Sequence, residues 1–529
     1  TAYACVGYMS TTDFDICTNN RDIGLLPGTA NVGIGETAPG EKLTVAGSIS
    51  SQGYCSDVNS NTIIGTTAFN SNSAGCQNTA VGHSSLYDNV SGKCNTAVGY
   101  FALRETCGGC YNTALGNSAL ACSKANHNTG LGYKAGCALT TGYYNTGVGS
   151  MALQNTTTGY NNAALGFCAL HCVTTGYGNV GVGSCALRGS AAMEGYGNVG
   201  IGYCAGRNLT SATSNVLIGQ TAGGSLTTGS NNVGIGGQVM SSSTASGNVG
   251  IGYGSLKTNV TGSNLVAIGP ETLCKNNAYD NIAIGYVASQ CNVLGTYNIA
   301  MGTCALRSNC SGSCNIAIGA FAGKVTTSTG SVLIGHQAGV AQTTAVNTAV
   351  GQQALATTTD GGENVAVGVQ ALLYNDSGYQ NTAVGNGALW SNTSGLRNTA
   401  VGCGAAYSNT TGHCNVAIGC QASFSNQTGR ENVAVGSKAM YSSTVGENVA
   451  VGSCAATANT TGIQNVAMGH KAMCSNTIGT CNVAIGFNSL MTSVTANGNT
   501  AVGNHTLCKN TCGEKNVAVG DFALLNNTE

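Results

Sequence analysis

One short phrase, Asn398-Thr399-Ala400-Val401-Gly402, recurs along this chain at a nearly constant interval. It returns at Asn78–Gly82, Asn95–Gly99, Asn415–Gly419 and Asn516–Gly520 with only conservative exchanges. About 28 copies lie between Asn61 and Gly520; most begin 17 residues after the last, some 16, and one 19, from Asn179 to Asn198. A period this short marks a solenoid, in which each repeat packs only on its neighbours. Such a repeat holds two short strands and two turns, and is too short for the common helix-containing repeats. The fold class expected is therefore all-β: a parallel β-solenoid or β-roll with 17-residue coils, continuous over residues 61–529.

Counting the Asn as slot zero, slots one and three carry Thr, Val, Ile, Leu or Met in most copies. Slot two is Ala or Gly except at Ile63, Leu217 and Leu333, and slot four is Gly throughout. Alternation is the period of a strand, so slots one and three share one face and slot two takes the other. The β-branched face is expected to fill the interior of the coil. The small face, at Ala80, Ala97, Ala114, Ala400 and Ala417, is then expected to meet the backbone of a neighbouring subunit. The competing explanation is that small residues merely suit a thin two-sheet roll. Slots seven and eight, often Ala-Leu or Ala-Met as at Ala102-Leu103 and Ala472-Met473, read as a second strand. The Asn, Thr and Gly that follow, as in Asn409-Thr410-Thr411-Gly412, supply turn chemistry that tolerates left-handed backbone and bonds locally to it.

Stacked coils lay like residues over like. The slot-zero residues Asn78, Asn95, Asn112, Asn381, Asn398 and Asn415 are expected to form a ladder of side-chain amide bonds, as stacked Asn do in cross-β structures. Only Leu265 and Ser331 depart clearly from it. At about 4.8 Å per rung, roughly 28 coils span on the order of 130 Å.

Residues 1–60 fit the repeat poorly. They hold one isolated copy, Asn31–Gly35, and a short strand expected over Lys42–Val45 after the Pro39-Gly40 turn. The open edge of a solenoid needs an atypical cap, and this segment is read as the N-terminal cap or joint. Thr1 in place of a start methionine and the break within a repeat at Glu529 are read as processing, cutting or continuation of the chain.

Composition narrows function. Charged residues are 7% and the net charge is −1, so a basic footprint for nucleic acid is absent. No apolar run approaches the roughly 18 residues of a membrane span, and no membrane insertion is expected. Acidic residues do not recur at a fixed slot, so the calcium-binding turns of other β-rolls are not expected. The recurrent Gly are turn glycines and not a phosphate cradle, because no helix follows them. No Ser-His-Asp or Cys-His set assembles from slot positions. No enzyme activity, cofactor or metal is expected.

The 26 Cys recur at particular slots. Cys168 and Cys185 share slot six, Cys403 and Cys420 share slot five, and Cys274 and Cys291 lie 17 apart near slots nine and ten. Coils about 5 Å apart fall inside the Cα range of a disulfide. These three pairs are the candidate coil-to-coil bridges, and the alternative is free buried thiols. Cys107-Gly-Gly-Cys110 has redox or zinc spacing but lies in a turn without a second pair. The seven His read as solvated surface residues, and Trp390 and the 21 Tyr as scattered surface aromatics. Asn155-Thr156-Thr157 and Asn409-Thr410-Thr411 are sequons that read more simply as turn residues.

The Asn-Thr-Ala-Val-Gly phrase, followed by Ala-Leu and Asn-Thr-Thr-Gly, resembles the long repeat arrays in tail-fibre and structural proteins of marine bacteriophages. The Cys-rich form is similar to arrays in phages of cyanobacteria. Asn31 to Ile49 resembles the Val-Gly-Ile-Gly…Pro…Lys-Leu-x-Val-x-Gly joint of phage fibre proteins. The repeat also resembles the Val-Ala-Ile-Gly phrase in heads of trimeric autotransporter adhesins, whose coils are shorter than these. The resemblance covers residues 31–529. It implies a fibre on a virion surface, a homotrimer, partners among other virion or fibre proteins, and a host surface receptor or glycan as target. The alternative is a cell-surface adhesin or self-assembling extracellular filament. An ice-binding solenoid would need regular outward rows of Thr, which slot one supplies only in part.

Overall fold

The computed structural model describes residues 60–529. The cap or joint expected over residues 1–60, with its strand at Lys42–Val45, lies outside the described residues except for Ser60. From residue 61 onward the chain is a parallel β-solenoid. Twenty-eight strands, from β1 (Thr62–Ile64) to β28 (Val517–Val519), form one sheet in which each strand pairs with its sequence neighbours. Register never slips: Thr382 lies opposite Thr399, Ala383 opposite Ala400, and Val384 opposite Val401. The 19-residue repeat is absorbed in a turn, and Val180 still lies opposite Val199.

The two faces of the sheet are reversed from the sequence expectation. Ala80, Ala97, Ala114, Ala400 and Ala417 are all 0% exposed, buried inside their own coil. They are not a subunit-packing face. The β-branched residues on either side of them point outward, with Val401 37% and Ile418 39% exposed. The reason is the volume of the opposite wall. Slots seven and eight both bury their side chains, as at Ala388 and Leu389, and the interior that remains has room for little more than a methyl group. A Cβ added at the slot-two residue Gly200 would stand 2.6 Å from Leu187 Cγ. The two buried exceptions obey the same rule by exchange. Leu217 and Leu333 occupy slot two in coils whose slot eight is Gly223 and Gly339, and a Cβ on either Gly would lie 2.7 Å from the Leu.

That opposite wall is not a second strand. Its residues alternate between right- and left-handed backbone: Phe101 and Leu103 have φ of 57° and 47°, and Ala102 between them does not. The alternation points successive peptide groups up and down the stack. Phe101 N–H donates to the His83 carbonyl one coil earlier (3.1 Å), and Leu103 N–H donates to the Ala119 carbonyl one coil later (3.0 Å). The backbone is thus satisfied by neighbouring coils without an extended strand. Isolated left-handed residues cost on the order of 1 kcal/mol, and here every one is held by bonds on its neighbours.

Slot four shows why Gly is invariant there. Gly402 has φ of 137°, which L side chains rarely adopt, and a Cβ would lie 2.5 Å from the carbonyl oxygen of Gly419 in the next coil. Backbone conformation and coil spacing each demand Gly.

Candidate functional site

Two surfaces carry chemistry: the outward face of the sheet and the columns of side chains that run along the turns. Both are built on an interior of hydrogen-bonded ladders.

The slot-zero Asn holds coil to coil. Asn95 N–H donates to Asn78 Oδ1 (2.9 Å), and its Nδ2 donates to the Gly109 carbonyl (2.7 Å). Asn112 N–H donates in turn to Asn95 Oδ1 (2.9 Å). Asn398 N–H donates to Asn381 Oδ1 (3.0 Å), and Asn415 bonds Asn398 Oδ1 through both its backbone N–H (3.0 Å) and its Nδ2 (3.1 Å). Each amide therefore binds its own turn and the neighbouring coil at once. At Ser331 a hydroxyl takes over and accepts from Asn347 N–H (3.3 Å).

A second ladder lies at slot eleven, where the sequence reads as a turn. Asn392 Nδ2 donates to Asn375 Oδ1 (2.6 Å) and Asn409 Nδ2 to Asn392 Oδ1 (2.8 Å). Both Asn392 and Asn409 are 0% exposed, so the sequon at Asn409 is sealed in the interior. Asn155, by contrast, is exposed. Where slot eleven is Leu, at Leu139, Leu209 and Leu226, the same coil has Gly at slot eight: Gly136, Gly206 and Gly223.

Many of the aromatic residues are stacked in columns rather than scattered. Trp390, Tyr407, Phe424 and Tyr441 share slot nine and stack at 4.9–5.1 Å with ring planes within 7° of parallel. Tyr143, Tyr160, Tyr177 and Tyr196 form a second column at 4.7–5.1 Å, within 9° of parallel. The spacing of 17 between most members is the signal that was available in the sequence. Beside the first column, Tyr374, Asp376, Ser391 and Thr393 line a shallow groove. Asp376 Oδ1 accepts from Thr359 Oγ1 (2.6 Å).

The histidines also join columns. His127 stacks between Tyr111 and Tyr144 at 4.9 and 4.8 Å. His171 pairs with Gln154 Oε1 (3.1 Å), and burial, helped by nearby Arg188, lowers its pKa.

All described cysteines are free thiols, including the expected bridge pairs Cys168 and Cys185, Cys403 and Cys420, and Cys274 and Cys291. Stacking in register explains this. Side chains at one slot run parallel, so their Cβ atoms stay about 4.8 Å apart, beyond the ~3.5–4.5 Å of a relaxed disulfide. Cys274 and Cys291 are also staggered, since Lys275, not Cys274, bonds the Gln290 carbonyl (3.2 Å). Burial raises the pKa of Cys122, Cys137, Cys168, Cys274 and Cys508 above the ordinary 9.0, which keeps them protonated and poorly nucleophilic. Among the described residues no cluster of three or more His, Cys, Asp or Glu is placed to hold a metal ion, Cys107 and Cys110 included. No helix among them is long and apolar enough to cross a membrane.

The outward face of the sheet is the largest feature. Both outward positions are aliphatic on ten successive strands, from β8 (Val180–Val182) to β17 (Val332–Ile334). On the first six strands, β1 to β6 (Thr146–Val148), Thr holds the first outward position.

No family model matches the chain, and no curated protein or solved structure is significantly similar to it.

Proposed function

We propose that this chain is a structural fibre protein, a stiff spacer that gives reach and displays several weak contacts at once. The observation that supports this reading most is the unbroken register of all twenty-eight strands. A solenoid with identical nearest-neighbour interfaces grows in length without adding domains. At about 4.8 Å per step the stack extends on the order of 130 Å. Surface columns repeat along it, so one ligand type would meet equivalent positions many times, and linked weak contacts multiply.

The repeat phrase favours a virion tail fibre or appendage as the setting, with a host surface receptor or glycan as target. The role is structural rather than catalytic. The trimer read from the sequence drew on an outward Ala wall. With that wall inside the coil, any assembly of copies would use another face.

A cell-surface adhesin or extracellular filament is the second reading. The wide apolar sheet face favours it, because such a face suits lateral packing. Antibody-gold labelling in electron micrographs of the source particles separates the two. Label on slender appendages of virions supports the first reading. Label on filaments without capsids supports the second and sinks the first.

A further inference from the structure

The outward sheet face over β8–β17 is the strongest unexplained surface. Its outward positions are Val or Ile throughout, with one Met at Met301. These residues are substantially exposed: Ile235 is 37%, Ile282 38% and Met301 38%. They need not be aliphatic for the coil to fold, since β1–β6 carry Thr at an equivalent position in the same register. Apolar residues on an outer face stabilise a lone chain little, and they favour covering by something flat.

The margins of this face are as distinctive as its centre. The residue before the slot-zero Asn is small on many of these coils: Gly178, Gly197, Ser214, Gly247 and Gly330. Asp280 is the one acidic residue, and His336 the one basic residue, in the two columns that flank these ten strands. The later coils differ, with Glu363, Arg397, Glu431, Glu447 and Lys515 in the first of those columns. On the other margin, Tyr203, Tyr253 and Tyr286 stand 53–57% exposed. Borders with so few acidic or basic residues carry little charge. They offer no charge complementarity to a lipid headgroup, a nucleic acid or a charged peptide.

We infer that β8–β17 is a self-association surface, and that its occupant is the same face of a second copy of this chain. Three arguments select a second copy. The first is area: ten rungs at about 4.8 Å, measured across the roughly 20 Å from the residue before slot zero to slot five, give roughly 850 Å² with the flanking columns included. That footprint matches the ~800 Å² per partner of a stable interface. The second is commensurability. Ridges spaced one rung apart interdigitate along their whole length only with a surface of the same spacing, which another copy of this sheet has. The third is self-complementarity, since a two-fold pairing needs one patch to serve both sides. The two sheets would pack about 10 Å apart, as in a β-sandwich. This inference is independent of whether the particle is a viral fibre.

The test is the mass of the full chain in solution by sedimentation equilibrium over a range of concentrations. The wild type is expected to show two-chain mass. Ile201→Lys, Ile235→Lys, Ile282→Lys and Ile318→Lys combined place four charges on the face. They should raise the dissociation constant at least about 100-fold, since burying each unpaired charge opposes pairing. Thr261→Lys with Thr411→Lys, in the exposed turns, should leave the mass unchanged. Should the four-Lys variant lose its far-UV circular dichroism, Ile→Thr at the same sites keeps strand propensity and should still weaken pairing about tenfold. A single-chain wild type, a three-chain mass, or pairing untouched by these changes would overturn the inference.

Discussion

The first six rungs and the ten rungs β8–β17 are alike inside and different outside. Both place Ala or Gly at the centre of most strands, with Ile63 as the exception in the first block and Leu217 and Leu333 in the second. Both are ruled by slot-four Gly, such as Gly99 with φ of 136° and Gly252 with φ of 121°. Outside, the first block shows Thr beside Ile, Val or Leu, and the second shows Val or Ile on both positions save Met301. The interior is dictated by what the opposite wall leaves free, so it varies only in step with that wall. The exterior has no such constraint, so its composition can differ between coils that fold alike.

The comparison breaks most sharply at slot four. Gly99→Ala and Gly252→Ala should be equally severe, each about 3 kcal/mol or more, because left-handed strain and backbone overlap add. The readout is amide hydrogen exchange in the affected coil, since long repeat arrays do not unfold as one unit. A mild effect in either block would show that the two interiors are not equivalent. Next in size is Leu333→Ala, expected to cost about 2–5 kcal/mol through the cavity left behind. Adding Gly339→Leu, in a coil whose slot eleven is the polar Gln342, restores the usual arrangement and should recover at least half of that loss. A double variant as unstable as the single would defeat the volume exchange between the two walls.

Outward changes should barely touch the lone chain. Thr96→Val in the first block and Ile235→Thr in the second are each expected within about 1 kcal/mol on local stability. They should have opposite signs on self-association, the first strengthening it and the second weakening it. Equal and null effects on mass would remove the distinction between the blocks.

The smallest effect is on pH. His171 sits just before the aliphatic block with its pKa held below 6.5 by burial and Arg188. The unfolded chain therefore binds the proton more readily. The stability this side chain contributes is present above pH 6.5 and is lost as pH falls below it. The melting temperature should drop modestly between neutral and mildly acid pH, and His171→Gln should reduce that drop.

Much of the fold was legible because identical spacing forces identical stacking. The Asn ladder through Asn78, Asn95 and Asn112 follows from period and side-chain chemistry alone. The slot-eleven ladder was hidden because Asn392 and Asn409 also fit a surface turn, and only their burial distinguishes the two. The columns at Trp390 and Tyr143 were legible in the 17-residue spacing, but other aromatics at other slots obscured them. The thiol pairs were misjudged because Cα spacing admits a bridge while parallel side-chain directions oppose one.

By itself the sequence determined the period, the parallel register, the Gly at slot four of each repeat and the absence of helix-length repeats. Each of these depends on residues compared with their own copies. Which side of the strand is inside was decided only by the tertiary structure. A period-two pattern looks the same with either face buried. The choice depends on the wall across the coil, where the buried Leu389 and Asn392 leave room at Ala383 for little more than a methyl group.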